Sequence, residues 1–402
     1  MPSQAKKLRI ALTVPRFEVN HAGGAEILAK SLALKLKETG HTIEILTTCA
    51  RDHFTWKNFY EPGESMVDGL KVRRFPVNNE RDLEKFAELQ DRIMHFEELT
   101  LQQEKTWISE GVVSENLFEY LETNRDNYDL FIFIPYLFGT TYWGAQIVQK
   151  KALLIPCLHD EPYARLKIFK ELFDAVKGII PSTSPEIELI KRLFDIPDYK
   201  IAQVAMGFEP AKEYKPDRFR EKYNIRCPFI YYAGRREGGK NTPLLIEMFS
   251  VYKQFNDNDL KLVLSGSGEV KIEPPDIKEI IDVGFIEEQD KHDAYSACLA
   301  FCNPSINESL SIVLMEAWLA GRPAIVHALC DVTREHCQRS NGGLFFRDYP
   351  EFEEILNFLL ANESVARKMG ANGRAYVQRE YNWQRVIANF NNALLKFGIE
   401  TK

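Results

Sequence analysis

The sequence lacks the features that mark several large protein classes. No CxxC pair occurs among its seven cysteines, at positions 49, 157, 227, 298, 302, 330 and 337. That absence removes the usual zinc and redox spacings, and an odd count with apolar neighbours points to reduced thiols in a cytoplasmic protein. No apolar run reaches the ~18 residues that a membrane-spanning helix requires. Basic residues are not in excess: 51 Lys+Arg stand against 58 Asp+Glu, a formal net charge of −7. No nucleic-acid footprint is therefore expected, and no surface built as a whole around anionic lipid. The opening "MPSQAKKLRIALTV" passes from two lysines straight into a strand, so no cleavable signal is expected. What remains is an ordinary globular composition over 402 residues, room for two to three domains of ~150 residues each.

The pattern along the chain is alternation. "LRIALTV" (8–14) reads as a strand, "ILAKSLALKLKETG" as a helix stopped by Gly40, and "HTIEILTT" as a second strand. Strand, glycine turn, helix and strand make a βαβ unit, which implies a parallel sheet. Residues 79–125 break this rhythm with a charged amphipathic run that carries Leu83, Phe86, Leu89, Ile93 and Phe96 on one stripe. It reads either as helices packed on the sheet or as a lid facing a second substrate. Alternation resumes through "DLFIFI" (129–134), "ALLIPCL" (152–158), "KGIIPST" (177–183) and "IAQVAMG" (201–207). Residues 208–220, aperiodic and with two prolines, read as a linker. A second series follows in "FIYYAG", "KLVLSG", "IIDVGFI", "LAFCNPS" and "PAIVHA", with helices expected at 350–360, 363–379 and 382–396. Two doubly wound α/β domains result, facing across a cleft, with ligands expected outside the carboxyl ends of the strands.

The loops at those ends hold the candidate residues. Gly23-Gly24-Ala25-Glu26 opens a helix and lets a backbone approach an anion, although it is not GxGxxG and carries no dinucleotide fingerprint. In "GRREGGK" Arg235 offers a planar fork and Lys240 a point charge, a combination suited to a diphosphate. Glu308 and Glu316 stand eight residues apart around the apolar run of "NPSINESLSIVLMEAWLAGRPAIV". The helix start near Ser309 to Ile312 would present free N–H groups to a phosphate or sugar oxygens. "CLHDEPYARL" sets His159, Asp160 and Glu161 directly after a strand. "DND" (257–259) looks like a metal-binding pair but falls at the wrong end of its strand, and "SGSGE" with Gly266 reads as a strand-end turn.

Over residues 229–345 the order and spacing of "AGRREGGK", "LVLSGSGE" and the E-x7-E stretch resemble the C-terminal half of retaining glycosyltransferases of family 4, which have the GT-B fold. The first half is similar more loosely, through "GGAE", "HDE" and "GHTIEILTT". The resemblance implies an N-terminal Rossmann-like acceptor domain (1–207) with a helical insert at 79–125. It also implies a linker (208–220), a C-terminal nucleotide-sugar domain (221–380) and a last helix (381–402) crossing back to the first domain. It implies that Arg235 and Lys240 bind the donor diphosphate, that Glu316 holds the ribose, and that Glu308 contacts the donor sugar. The backbone of Ser309, Leu310, Ser311 and Ile312 would assist Glu308. Phe285 and Ile286 would lie against the base, His159 near the transferred sugar, and Gly23 and Gly24 toward the phosphates. Ser311 departs from the glycine common at its position, and "MGFE" from "NGVD". The implied activity is metal-independent hexose transfer without a cofactor, from a UDP-sugar such as UDP-glucose to a glycan, lipid-linked or small-molecule acceptor. The expected setting is envelope or exopolysaccharide synthesis, in the cytoplasm with peripheral contact at the inner face of the membrane. A UDP-sugar 2-epimerase of the same fold and a non-catalytic sugar-nucleotide-binding partner subunit are the alternatives.

Overall fold

A computed structural model of the chain describes residues 6–18, 23–236, 238–269, 272 and 278–400. Residues 19–22 of the first glycine loop and Glu237 of "GRREGGK" lie outside the described residues. The chain forms two compact units, one ending at Met206 and completed by the residues from Trp383 onward, the other Gly207–Asn382.

The first unit contains β1 (Arg9–Thr13), α1 (Gly24–Glu38), β2 (Thr42–Thr48), β3 (Gly63–Val67), β4 (Leu70–Phe75), α2 (Leu83–Met94), α3 (Leu101–Ser109), α4 (Glu115–Asn124), β5 (Leu130–Phe133), α5 (Gly139–Ile147), β6 (Ala152–Leu154), α6 (Lys167–Ala175), β7 (Gly178–Ile179) and α7 (Ser184–Phe194). Its sheet runs β3-β4-β2-β1-β5-β6-β7, parallel except for β3 at the edge. The central strands are buried throughout, which is why β5 reads as one apolar run rather than an alternation. The β3–β4 hairpin lies in a stretch that offered no recognisable signal as a whole. Its turn is nevertheless Asp68-Gly69, both at positive φ (47° and 76°), as a two-residue hairpin loop requires.

The amphipathic run at 79–125 is three helices, each begun by a side chain that accepts from the first turn: Asp82, Thr100 and Ser114. Leu89, Ile93, Trp107, Ile108, Leu117 and Leu121 enter the same core as Phe131, Phe133, Phe169 and Phe173. The stretch 201–207 makes a single bridge, Ile201 to Ile179, rather than a strand. The last helix, introduced below, packs on this unit: Lys396 Nζ donates to the Ile201 carbonyl at 2.6 Å, and the Phe397 ring closes on Gly178.

The second unit contains α8 (Pro216–Lys222), β8 (Phe229–Ala233), α9 (Thr242–Phe255), β9 (Lys261–Ser265), β10 (Ile280–Asp282), α10 (Glu288–Ala297), β11 (Ala300–Asn303), α11 (Ile312–Leu319), β12 (Ala324–His327), α12 (Asp331–Ser340), β13 (Gly343–Phe346), α13 (Tyr349–Ala361) and α14 (Glu363–Glu380); α15 (Trp383–Lys396) returns to the first. The sheet order is β10-β9-β8-β11-β12-β13, all parallel. The expected linker is partly helical, because Pro216 occupies the first turn of α8, where its missing N–H costs nothing. Phe219 of that helix is fully buried against Phe229 and Tyr231, and Arg218 Nε donates to Asp293 at 2.5 Å. The stretch 280–286 is a strand only to Asp282, since Gly284 turns the chain with φ +70°.

Helices α11 and α14 meet through glycines. A Cβ on Gly373 would stand 2.2 Å from Trp318, whose buried indole donates to the Gly342 carbonyl at 2.9 Å and so is not free to withdraw. We expect Gly373→Ala to lower stability by roughly 1–3 kcal/mol despite the ~1 kcal/mol that alanine gains within a helix. Urea unfolding would reveal this as a lower midpoint at constant slope; an unchanged midpoint would show that the two helices separate readily.

Candidate active site

In a parallel sheet every strand ends on the same edge, so the loops after β8, β9, β10 and β11 gather there. They are joined backbone to backbone: Gly234 N–H donates to Ser265 O at 3.0 Å and Gly266 N–H to Gly284 O at 2.9 Å. Gly266, at φ +132°, permits this because any Cβ there would lie 1.8 Å from the Gly234 carbonyl oxygen. Arg235 leaves this junction exposed, its carbonyl accepting from the Tyr232 hydroxyl at 2.6 Å. Arg236 turns the other way, buried, its guanidinium paired with Asp282. Phe285 (59 % exposed) and Ile286 follow Gly284. Further along the first of these loops, Asn241 Nδ2 donates to the Pro304 carbonyl at 3.1 Å and Lys240 Nζ to Glu308 Oε1 at 2.9 Å. The loops after β8 and β11 are thus tied by a side-chain amide on a backbone carbonyl and by an ion pair.

Helix α11 begins at Ile312, at the end of the stretch Ser309 to Ile312 in which its start was expected. Ser311 precedes it in the left-handed region (φ 64°, ψ 75°), a conformation that costs most side chains roughly 1–2 kcal/mol. That is the physical reason glycine suits this position. Serine occupies it here with its buried hydroxyl accepting from Asn303 Nδ2 at 2.9 Å; the same amide nitrogen lies 3.4 Å from Glu308 Oε1. Glu308 therefore sits in the loop ahead of the helix, with only 12 % of its side chain exposed. Glu316 is in the second turn, accepting from Lys291 Nζ and the Tyr295 hydroxyl, both at 3.0 Å.

The first unit holds the remaining candidates. Gly23 is the N-cap of α1 and Gly24 its first residue. The Gly23 N–H donates to the Glu26 carboxylate, which also accepts from Arg16 Nη2 at 2.6 Å. "GGAE" thus keeps one half of a capping box, the Glu26 carboxylate on the N-cap N–H, and the glycine leaves room for the acid, since a Cβ on Gly23 would meet Glu26 Oε2 at 2.5 Å. His159 follows β6 with its Nδ1 3.5 Å from Glu161 Oε2, while Asp160 accepts from Arg165 and Arg192, both at 2.5 Å. Asn303, Lys291, Tyr295 and Arg16 were not anticipated from the sequence. Of these, Asn303 was the most legible: a polar residue closing the buried strand "LAFCN".

Two α/β units with parallel sheets, each with polar loops at the carboxyl edge, have the GT-B architecture. Residues 215–376 match the family described as Glycosyl transferases group 1. A D-inositol 3-phosphate glycosyltransferase of Xylanimonas cellulosilytica is 22 % identical, the match covering 91 % of this chain and 90 % of that protein. Among solved structures, sucrose-phosphate synthase from Thermosynechococcus elongatus superposes with a TM-score of 0.71 at 17 % identity, covering 98 % of this chain and 99 % of its own. Anabaena HepE in complex with UDP and glucose gives 0.72 at 12 % identity, covering 96 % and 99 %. Together the matched domain and the shared architecture support a glycosyltransferase of the GT-B type.

The geometry at Ser311 sets a rank order. Ser311→Ala keeps the strained backbone and loses the bond to Asn303, at a cost of about 1 kcal/mol. Ser311→Gly loses the same bond but recovers roughly 1 kcal/mol of backbone strain. Glycine should therefore be the more stable variant in thermal unfolding, and an alanine variant at or above it would contradict the assigned backbone.

Proposed function

We propose that the protein transfers a hexose, with retention of anomeric configuration and without a metal, from a nucleotide sugar to a glycan, lipid-linked or small-molecule acceptor. A UDP-sugar is the favoured donor and envelope or exopolysaccharide synthesis the favoured setting. The observation that carries this reading is the strand-end cluster of the second unit. Arg235, Lys240, Glu308 and the start of α11 belong to loops that are bonded to one another. A cation pair beside a helix N-terminus suits a diphosphate, and a shielded carboxylate next to it suits sugar hydroxyls. The HepE structure with UDP and glucose supports the donor class.

In the proposed reaction the bond from the sugar anomeric carbon to the diphosphate oxygen breaks, and negative charge grows on the leaving group. Arg235, Lys240 and the α11 dipole would stabilise that charge more in the transition state than in the ground state. Lys240 carries three N–H donors, so it can keep Glu308 and still donate to a phosphate oxygen. The acceptor oxygen would attack from the face the diphosphate leaves, and the departing phosphate oxygen would take its proton. His159 would lie near the transferred sugar, Glu316 would accept from the ribose hydroxyls, and the base would rest against Phe285 and Ile286.

A panel of UDP-, GDP- and ADP-sugars tests the proposal by thermal shift, since a donor at 100 times its Kd adds ~2.7 kcal/mol. Transfer from the responding donor should give a linkage of the donor's own anomeric configuration by NMR and should survive EDTA. Arg235→Ala and Lys240→Ala should each lower kcat by about 100- to 1000-fold, the loss typical of one such donor. An inverted linkage, or epimerisation of the donor with no acceptor present, would replace the reading.

A further inference from the structure

The segment that carries His159 is anchored at both ends by acids that the proposed reaction does not use. Glu186, on α7 and 1 % exposed, accepts from the Leu158 N–H at 2.7 Å and from the Ser182 N–H at 2.6 Å. It thereby joins the strand-end loops after β6 and β7 one residue before His159. Glu104, on α3 and 3 % exposed, accepts from the Ile168 N–H at 3.0 Å. That amide belongs to the first turn of α6, whose own N-cap, Leu166, supplies no side-chain acceptor. The cap comes instead from the helical insert.

Between these anchors the insert makes further contacts. The Trp107 indole stacks on the Tyr163 ring with centroids 5.8 Å apart and meets Phe169 edge-on at 6.2 Å. Gln90 fixes the indole by accepting from its Nε1 at 2.9 Å. Arg165 lies 5.9 Å from the centroid of the Phe96 ring, and Lys167 pairs with Glu98 at 3.2 Å. Just ahead of the first anchor, Cys157 holds a left-handed backbone (φ 51°), a conformation that needs support from its surroundings.

We propose that Glu186 and Glu104 are positioning residues that clamp Leu158–Ile168 and so set the place of His159, which gives the 79–125 insert its role. The inference rests on the reading that His159 lies near the transferred sugar. A carboxylate suits each position because both its oxygens accept. A glutamine at 186 would serve one N–H and turn its own amide donor toward the other. Burial raises the pKa of Glu186 to about 7, opposed by the Ser182 and Leu158 N–H groups and by His159. Burial likewise raises that of Glu104, against the Ile168 N–H.

Hydrogen exchange by mass spectrometry on the full chain, together with steady-state kinetics, tests the clamp in Glu186→Gln, Glu104→Gln and, as a control at an exposed pair away from the segment, Glu38→Gln. Exchange should quicken by about tenfold at Leu158 in the first variant and at Ile168 in the second, the change that losing one hydrogen bond to a charged group brings. The kcat should fall by about tenfold in both with the donor KM nearly unchanged, because placement is disturbed and not donor binding. The control should alter neither quantity. Faster exchange spread through the whole first unit, no faster exchange at all, or local loosening with an intact kcat would each overturn the clamp. If the wild type transfers no sugar, the proposed function fails, yet the exchange still reports whether the two acids hold the segment.

Discussion

The candidate site depends on one close approach, that of the Gly234 carbonyl to the α-carbon of Gly266. Any side chain at 266 would drive apart the loops after β8 and β9, which continue to pair beyond their strands, Gly234 N–H to Ser265 O and Arg236 N–H to Ser267 O. Because pairing continues, Arg235 and Arg236 inherit something of the alternation of a strand, one side chain outward and one inward. Arg235 is exposed, while the buried Arg236 guanidinium is committed to Asp282. Which arginine is exposed and which is buried is decided by backbone geometry before any ligand is considered.

A second constraint is charge. Glu308 and Glu316 are largely shielded, and a carboxylate in that position costs several kcal/mol unless it is paired and hydrogen-bonded. Each receives a lysine and one neutral donor: Lys240 with Asn303, and Lys291 with Tyr295. The first unit treats Glu26 similarly, with Arg16 and a backbone N–H. Glu186 differs in accepting from two backbone amides, those of Leu158 and Ser182, which fits the raised pKa that burial gives it.

Much of this was legible in the sequence because parallel sheets advertise themselves. Strands buried on both faces, such as β5 and β8, are unbroken apolar runs, and the polar residue that ends each run marks a loop at the carboxyl edge. Arg235, Lys240 and Glu308 were assigned to such loops on that principle, where the structure places them, and the fold followed from the same runs. The start of α11 falls within the expected stretch, but Ser311 gives no outward sign of the left-handed backbone that precedes it. Prolines misled at 208–220, where Pro216 opens a helix rather than marking a linker. α12 and β13 went unread because "DVTREHCQRS" is polar on most sides and β13 is only partly buried, leaving little periodicity to detect. The partners of Glu316 lie on α10, more than twenty residues earlier, a proximity that only tertiary packing creates.

The helical insert illustrates how the same periodic signal supports two opposite readings until its contacts are known. An amphipathic stripe is required of a lid that closes over a substrate, and equally of a helix fixed to a core. A lid is drawn from the least stable parts of a fold, with few buried apolar contacts. Here Leu89, Ile93, Trp107 and Ile108 are buried in the main core of the first unit, and each helix has its own side-chain cap. Releasing the insert would expose Trp107, uncap α6 and leave the buried Ile168 amide without its acceptor. Those linked losses make independent opening costly, so the insert belongs to the scaffold around the His159 segment, and any gating at this site has to come from elements less deeply anchored.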